Sequence, residues 1–562
     1  MFRSFIGWSR FGEMMTYVKQ KTQPVGWWSS GGAAPIKDLS RFREALWNLN
    51  LPVAIVDQGG SLSVAEGGRV SLGGMDPLGG ALPVSAYAPA MRLENLGDPG
   101  FCEDHGIRFP YVTGAMANGI ASEEIVIAMS RAGMLGFFGA AGLRPERVST
   151  AIDRIQAALG DKPYGFNLIH SPNEPELEAA VVRLYLKRGI RLVEASAYLA
   201  LTLPVVRYRV TGIHRDNQGN VITPNRIIAK VSRVEVATHF LSPPPDRFLI
   251  QLIESGEITN DQARMAREIP MAQDLTAEAD SGGHTDNRPA LALVPAMVAL
   301  RDRLQAQHEY RCPLRVGAAG GISTPASAAA AFAMGAAYIL TGSVNQACVE
   351  SGSCDSVRKL LAQAEQADVA MAPAADMFEM GVKVQVLKRG TMFAMRAGKL
   401  YDLYRRCASL DDLTPAEREM LEKQYFRATL AATWESTKDF FRQADPSQID
   451  RAERDPKHKL ALVFRSYLGQ SSRWANAGDP TRTMDYQVWC GSAMGAFNEW
   501  VKGTFLERPE NRRVVAVGLN ILYGAAVMLR VNAIKSQGVR VLPELSRPVP
   551  CELAKLNEVI YQ

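Results

Sequence analysis

The chain has 562 residues, 47% of them hydrophobic, and carries 63 basic against 58 acidic side chains for a formal charge of +5. That length gives about two or three domains with large cores, which excludes a disordered or fibrous chain. The near-balanced charge excludes the strong positive field of a nucleic-acid binder. Seven cysteines with no CxxC pair argue against a disulfide framework and a cysteine-ligated zinc site, so a reducing, cytoplasmic setting is expected. The N-terminal MFRSFIGWSRFGEMM lacks an apolar stretch followed by a small-residue cleavage site. No apolar run is read as reaching the roughly 20 residues that span a bilayer, and a soluble chain without a membrane partner is expected.

Residues 1–105 are rich in Gly and Pro around short apolar runs such as Pro52–Gln58, which suits a small β-containing lead domain. From residue 106 to 350, apolar strands alternate with helical segments. Strands are expected at Phe109–Thr113, Met134–Phe138, Tyr164–Leu168, Leu192–Ala195, Ile227–Val231, Leu275–Ala279, Leu314–Ala318 and Ala337–Thr341. Eight such units predict an α/β fold, a (β/α)8 TIM barrel, because the Gly-rich turns come after the late strands rather than after the first. Val205–Thr223 reads as an additional alternating strand with an Asn217-Gly219-Asn220 turn, a hairpin inserted before the fifth barrel strand. A connecting segment, 351–410, includes a helix expected over Ser356–Ala367. A separate helical domain is expected over 411–562, opened by Thr414 as N-cap, Pro415 in the first turn and Glu417 closing a capping box.

Several side chains fall where barrel strands end, which is the catalytic face of this fold. In Ala279–Pro289, ADSGGHTDNRP, His284 follows Gly282-Gly283, and an imidazole there can donate a hydrogen bond or shuttle a proton near neutral pH. Asp280 and Asp286 flank it and could orient the ring. Gly114, Ala115 and Met116 after the first strand would let a flat ring lie against backbone. Asn167 could bond a ring edge or cap a turn, and His170 is a weaker second imidazole. Lys230 interrupts an apolar strand and needs a counter-charge, either a ligand or a carboxylate such as Glu194 or Asp280. Gly320, Gly321, Gly342 and Ser343 end the seventh and eighth strands, where barrels hold phosphate on backbone amides. No second His or Cys stands at ligand spacing, so no metal is expected.

These motifs, SGGH, AAGGI and YILTGS, resemble the FMN barrels of the nitronate monooxygenase and flavin enoyl reductase group. PYVTGAMANGIAS, TGSVNQ, Pro373–Phe393 and Tyr486–Trp500 make the chain more similar still to the PfaD family, the discrete enoyl reductases of polyunsaturated-fatty-acid synthases and trans-acyltransferase polyketide synthases. The resemblance runs from about Leu51 to Asn532. It implies FMN contacts from Gly114, Ala115, Met116, Asn167 and Lys230, with Asp280, Gly282 and Gly283 beside them. It further implies phosphate contacts from Gly320, Gly321, Gly342 and Ser343, and His284 at the catalytic position. The wider group usually reads Glu-Ala-Gly-Gly-His where this chain has Asp280-Ser281-Gly282-Gly283-His284, so the carboxylate here is shorter.

What the resemblance implies is hydride transfer from NADPH through FMN to the β-carbon of an enoyl thioester on an acyl carrier protein. Arg512-Arg513 and Lys388-Arg389 are candidate docking cations for that acidic partner, and a homo-oligomer is expected. Two other readings stand beside it: a nitronate monooxygenase-like oxidase using the same FMN and histidine, and a non-catalytic docking component of a megasynthase.

Overall fold

The computed structural model describes residues 15–17, 23–76, 79–170, 175–283 and 285–561. Eight parallel strands close into a barrel: β1 (Tyr111–Thr113), β2 (Leu135–Phe138), β3 (Gly165–Ile169), β4 (Leu192–Ser196), β5 (Arg226–Val231), β6 (Asp274–Glu278), β7 (Arg315–Ala319) and β8 (Ile339–Thr341). Every barrel strand expected from the sequence forms, and β8 pairs with β1 to close the ring. The runs were legible because both faces of these strands are covered. One face meets the outer helices through Phe138, Phe166, Val193 and Ala229, and the other fills the lumen with Val112, Leu135, Phe137, Leu192 and Ile228.

The extra strand expected over Val205–Thr223 is corrected. Leu203–Val210 is a helix, begun by Thr202, whose hydroxyl accepts from the Val205 N–H at 3.4 Å, with Pro204 in the first turn. A parallel barrel needs a crossover helix between β4 and β5, and that requirement overrides the alternating VVRYRV pattern. The hairpin survives only as the short pair His214–Arg215 and Val221–Ile222.

Before the barrel lies an antiparallel five-stranded sheet in the order Leu62–Ala65, Val53–Asp57, Leu82–Ala88, Gly26–Ser29, Arg69–Leu72. After it come the antiparallel pair Val369–Pro373 and Lys383–Leu387 and then a run of helices. The expected helix at Ser356–Ala367 is shorter, Asp355–Ala362. Thr414 opens the next region as expected, since its hydroxyl accepts from Glu417 N–H at 3.3 Å and the Glu417 carboxylate accepts from Thr414 N–H at 3.2 Å.

The helices do not share one core. Residues from Ala372 to Leu468, including Phe393, Leu400, Tyr425 and Phe464, pack around their own centre. The chain from Tyr486 onward rejoins the core of the barrel and the N-terminal sheet. Helix Val514–Ser536 makes that connection, packing on the barrel helices Pro325–Ala333 and Glu123–Arg131 and on strand Leu82–Ala88. Gly524 permits the close approach, because a Cβ there would stand 2.5 Å from Pro325 Cγ. This helix is long and apolar enough to cross a membrane, which corrects the expectation that no run reaches that length. In the fold, 83% of its most apolar window is buried inside the protein.

Candidate active site

The C-terminal mouth of the barrel gathers the polar side chains of the lumen. Strand alternation puts Glu194 on the same face as Leu192, Lys230 with Ile228, and Glu278 with Thr276, so all three acid and base groups project inward. Lys230 Nζ stands 3.7 Å from Glu194 and 3.5 Å from Glu278. Glu194 is fully buried and Glu278 nearly so. Burial alone would depress the Lys230 pKa, but the two carboxylates outweigh it and raise it, so the ammonium stays charged. Glu194 moves the other way from an ordinary carboxylate: burial raises its pKa, Lys230 pulls it down less, and Glu278 adds to the rise. One cation between two buried carboxylates leaves an excess negative charge that favours holding a proton.

Beneath this layer, Thr276 Oγ1 and Tyr338 OH bond at 2.7 Å, and at the barrel floor Asp274 meets His105 Nε2 at 2.8 Å and Arg315 at 3.1 Å. Burial opposes ionisation of Asp274, but those two partners outweigh it and hold its pKa low. The floor is an ion-pair network, and at the mouth it is acceptors that are left over. Glu194 Oε1 and Gln385 Oε1 are buried without a hydrogen-bond partner.

The turns above the strands are built for close backbone approach. Gly320 has φ +80°, and a Cβ there would lie 2.5 Å from the Ala279 carbonyl carbon. Gly321 (φ +75°) and Gly342 have nothing within 4 Å of where a Cβ would be, leaving an open cradle at the ends of β7 and β8. Gly282 lies against a segment distant in sequence: its Cβ would be 3.1 Å from the Cys490 nitrogen. Next to it, Gly491 N–H donates to Ser343 Oγ at 3.2 Å. Residues 488–491 therefore strap the mouth from the β6 turn to the β8 turn.

The structure brings most of the expected residues together. Ala115 N–H donates to Glu194 Oε2 at 3.0 Å, and Gly114 packs on Leu340. Met116 is half-buried, and its carbonyl accepts from Ala121. Asn167 is tied down, its amide donating to the Glu194 carbonyl at 3.1 Å and Ser196 Oγ at 2.9 Å. Gly283 N–H donates to Ser281 Oγ at 3.3 Å. His284 lies outside the described residues.

Several expectations change. The second carboxylate on Lys230 is Glu278, not Asp280, whose carboxylate instead accepts from Asn287 at 2.7 Å and from Gln385. Asp286 forms a bidentate pair with Arg233 at 2.7 Å, which holds its carboxyl below the usual range. His170 is bonded to the buried Glu178 at 2.8 Å, outside the lumen-facing set. Of the two candidate docking pairs, Arg512 is buried and Arg389 is spent on Asp368 and Glu365, whereas Arg513, 3.9 Å from Glu350, and Lys388 stay exposed, so each pair offers one accessible cation rather than two. Sequence reasoning missed Glu278, Gln385 and the strap. For Glu278 the signal was present: an acid two residues before Asp280 on the same strand face.

A closed parallel barrel with an ionised cluster and open glycine turns at its C-terminal mouth defines a (β/α)8-barrel enzyme. Residues 101–397 match the family model described as nitronate monooxygenase, more than half of the chain, and the protein belongs to that family. A second model, described as the inserted helical domain of acyl-carrier-protein S-malonyltransferase, matches residues 407–486. The chain is 40% identical to the enoyl reductase domain of MlnA from the macrolactin biosynthesis cluster of Bacillus amyloliquefaciens, with a TM-score of 0.75, covering 79% of this chain and 100% of that one. It is 52% identical over 451 residues to a component of the polyunsaturated fatty acid synthase of Thraustochytrium sp., covering 79% of this chain and 30% of that protein. It is 47% identical over 440 residues to the polyketide biosynthesis protein PksE of Bacillus subtilis, covering 78% of this chain and 57% of that protein. The chain thus spans less than two thirds of these two relatives.

Proposed function

We propose that this chain is a flavin-dependent enoyl reductase that reduces the α,β-double bond of an acyl-carrier-bound enoyl thioester with NADPH, in polyunsaturated fatty acid or polyketide biosynthesis. The observation that carries the reading is the 40% identity across the whole length of a domain described as an enoyl reductase. The mouth supports it. Orphaned acceptors at Glu194 and Gln385 fit the N–H groups of a planar ring, and the open turns at Gly321 and Gly342 fit a phosphate. Gly114, Ala115, Met116, Asn167 and Lys230 would hold an FMN ring, with Gly320, Gly321, Gly342 and Ser343 around its phosphate. When bound, FMN supplies the hydride that NADPH delivers to the protein.

The chain's own residues then serve the substrate. Lys230, kept cationic by its two carboxylates, presents an N–H donor to whatever lies over the lumen. The strap at 488–491 narrows the mouth and limits water. His284 is assigned the donor role: a hydrogen bond to the thioester oxygen as charge builds there, or a proton to the α-carbon. A donor at such an oxygen is worth about 10²–10³ in rate.

The test is anaerobic. Protein purified with its flavin is reduced with NADPH, an enoyl thioester is added, and the flavin absorbance is followed. Reoxidation with saturated product is expected. A flavin that stays reduced until oxygen or a nitronate is admitted would instead favour the oxidase reading that the family description carries. His284→Ala is expected to keep its flavin and to lose about 10²–10³ in the reoxidation rate.

A further inference from the structure

The helical segment matched by the inserted-domain model carries a cationic seam that the barrel chemistry does not use. Helices Leu430–Ala444 and Pro456–Ala477 pack together, with Trp434 and Phe440 between basic side chains. Lys438 Nζ and Lys459 Nζ stand 5.8 and 5.2 Å from the Trp434 ring centre, and the Arg473 guanidinium is 5.4 Å from that of Phe440. The seam runs toward the barrel. Ser472, beside Arg473, accepts from Asn118 of the β1 turn at 2.9 Å, and Gln443 accepts from exposed Arg144 of the β2 turn at 3.1 Å.

The local acids neutralise only part of this charge. Glu435 pairs with Lys438 at 2.8 Å and Asp439 pairs with Arg442. None of Arg144, Lys459 and Arg473 forms an ion pair within 4 Å among the described residues, and Glu435 acts on Lys459 only at longer range, so the row that ends at the barrel rim keeps a positive excess. Aromatic rings hold two of them in place, which lowers the entropy lost when a partner's carboxylates bind them.

We propose that this seam, continued by Arg144, is the docking face for the acyl carrier protein, which is an acidic protein that must bring a tethered thioester to the mouth. The assignment rests on the enoyl reductase reading. Two observations point to this occupant. The unpaired charge is complementary to it, and the same inserted helices are described in an enzyme that acts on the acyl carrier protein. Docking at the edge of the β1 and β2 turns leaves the thioester arm a path into the lumen without displacing the strap at 488–491.

The test compares two substrates on the flavin-loaded full chain: an enoyl group on its carrier protein, and the same enoyl group on N-acetylcysteamine, a short thioester with no protein to dock. In the variant Arg144→Glu, Lys459→Glu, Arg473→Glu, kcat/KM for the carrier-bound substrate at low salt is expected to fall at least about tenfold and to lose most of its salt dependence. The small thioester is expected to be reduced within about twofold of the parent rate. The neutral variant Arg144→Gln, Lys459→Gln, Arg473→Gln covers the case in which charge reversal harms folding, and should show a smaller loss of the same kind. Equal losses on both substrates, or none on the carrier-bound one, would overturn the docking face. If neither substrate is reduced by the parent protein, the enoyl reductase reading fails. Fluorescence anisotropy of labelled carrier protein against parent and variants then decides the docking face: weaker binding by the variants upholds it and unchanged binding ends it.

Discussion

Replacing Lys230 with methionine removes the ammonium and keeps the side-chain length, leaving Glu194 and Glu278 facing each other in the lumen. At 3.5 and 3.7 Å, each ion contact is worth about 4–5 kcal/mol of gross attraction at an effective dielectric near 20. Desolvation offsets much of that, and breaking a buried pair by removing one partner typically costs about 3–5 kcal/mol. For 562 residues unfolding as one unit, an entropy of about 2.1 cal/mol/K per residue turns this into a melting temperature lower by about 3–4 °C. The cost depends on pH in a definite direction. The folded pKa of Glu194 is raised above its ordinary 4.5, chiefly by burial, so its favourable contribution is complete below that value and is lost as pH rises through the folded value. Without Lys230 the folded value climbs further, so the penalty should be smaller near pH 5 and largest at pH 8. Differential scanning fluorimetry of flavin-free protein across that range measures it. Adding Glu194→Gln should recover about 1–2 kcal/mol at pH 8 by removing the repulsion. A penalty that is flat with pH, or larger in acid, would refute a shared proton in this cluster.

The glycine turns separate two effects that are usually confounded. Gly320→Ala meets both a left-handed backbone and the Ala279 carbonyl, so it should destabilise the fold by about 2 kcal/mol or more, visible as a lower melting temperature, and release flavin as well. Gly342→Ala enters open space, so it should leave the melting temperature within about 0.5 kcal/mol of the parent while reducing the flavin-to-protein ratio. A normal flavin ratio in both would remove these turns from the cofactor site. Asp280→Ala takes away the acceptor shared by Asn287 and Gln385 and should cost about 1–3 kcal/mol. Faster proteolysis of the turn before Pro289 would register it. Ser343→Ala should free the Gly491 amide, read as about fivefold faster hydrogen exchange there for a bond worth about 1 kcal/mol.

The barrel was legible because its strands are apolar on both faces and end in Gly-rich turns, a pattern that few other folds produce. Leu203–Val210 was misread because VVRYRV alternates, although Thr202 and Pro204 already carried a helix start. The helix Val514–Ser536 falls inside the expected helical domain, and its apolar length went unread for another reason. Its apolar circumference is interrupted by Asn520 and Arg530, which find partners inside the fold: Asn520 donates to the Ala516 and Cys551 carbonyls, and the two terminal nitrogens of Arg530 donate to the carbonyls of Asn48 and Leu51. The strap at 488–491 lies some two hundred residues from the turn it covers, and no local pattern announces such a contact. Only the resemblance of Tyr486–Trp500 to a family motif marked it.

The partner of Lys230 shows where reading by period alone stops. Glu278 and Asp280 have the same parity, so alternation assigns both to the lumen and cannot separate them. Height along the barrel axis does. The parallel register sets Lys230 opposite Thr276, which leaves Glu278 one step above, within reach of the ammonium, and Asp280 a further step up in the turn. At that level the neighbours are Asn287 and Gln385, both amide donors, and a carboxylate there serves to hold the turn rather than to balance charge in the lumen. The register that decides between them depends on how all eight strands tilt together as the barrel closes, so it becomes readable only once the ring is formed.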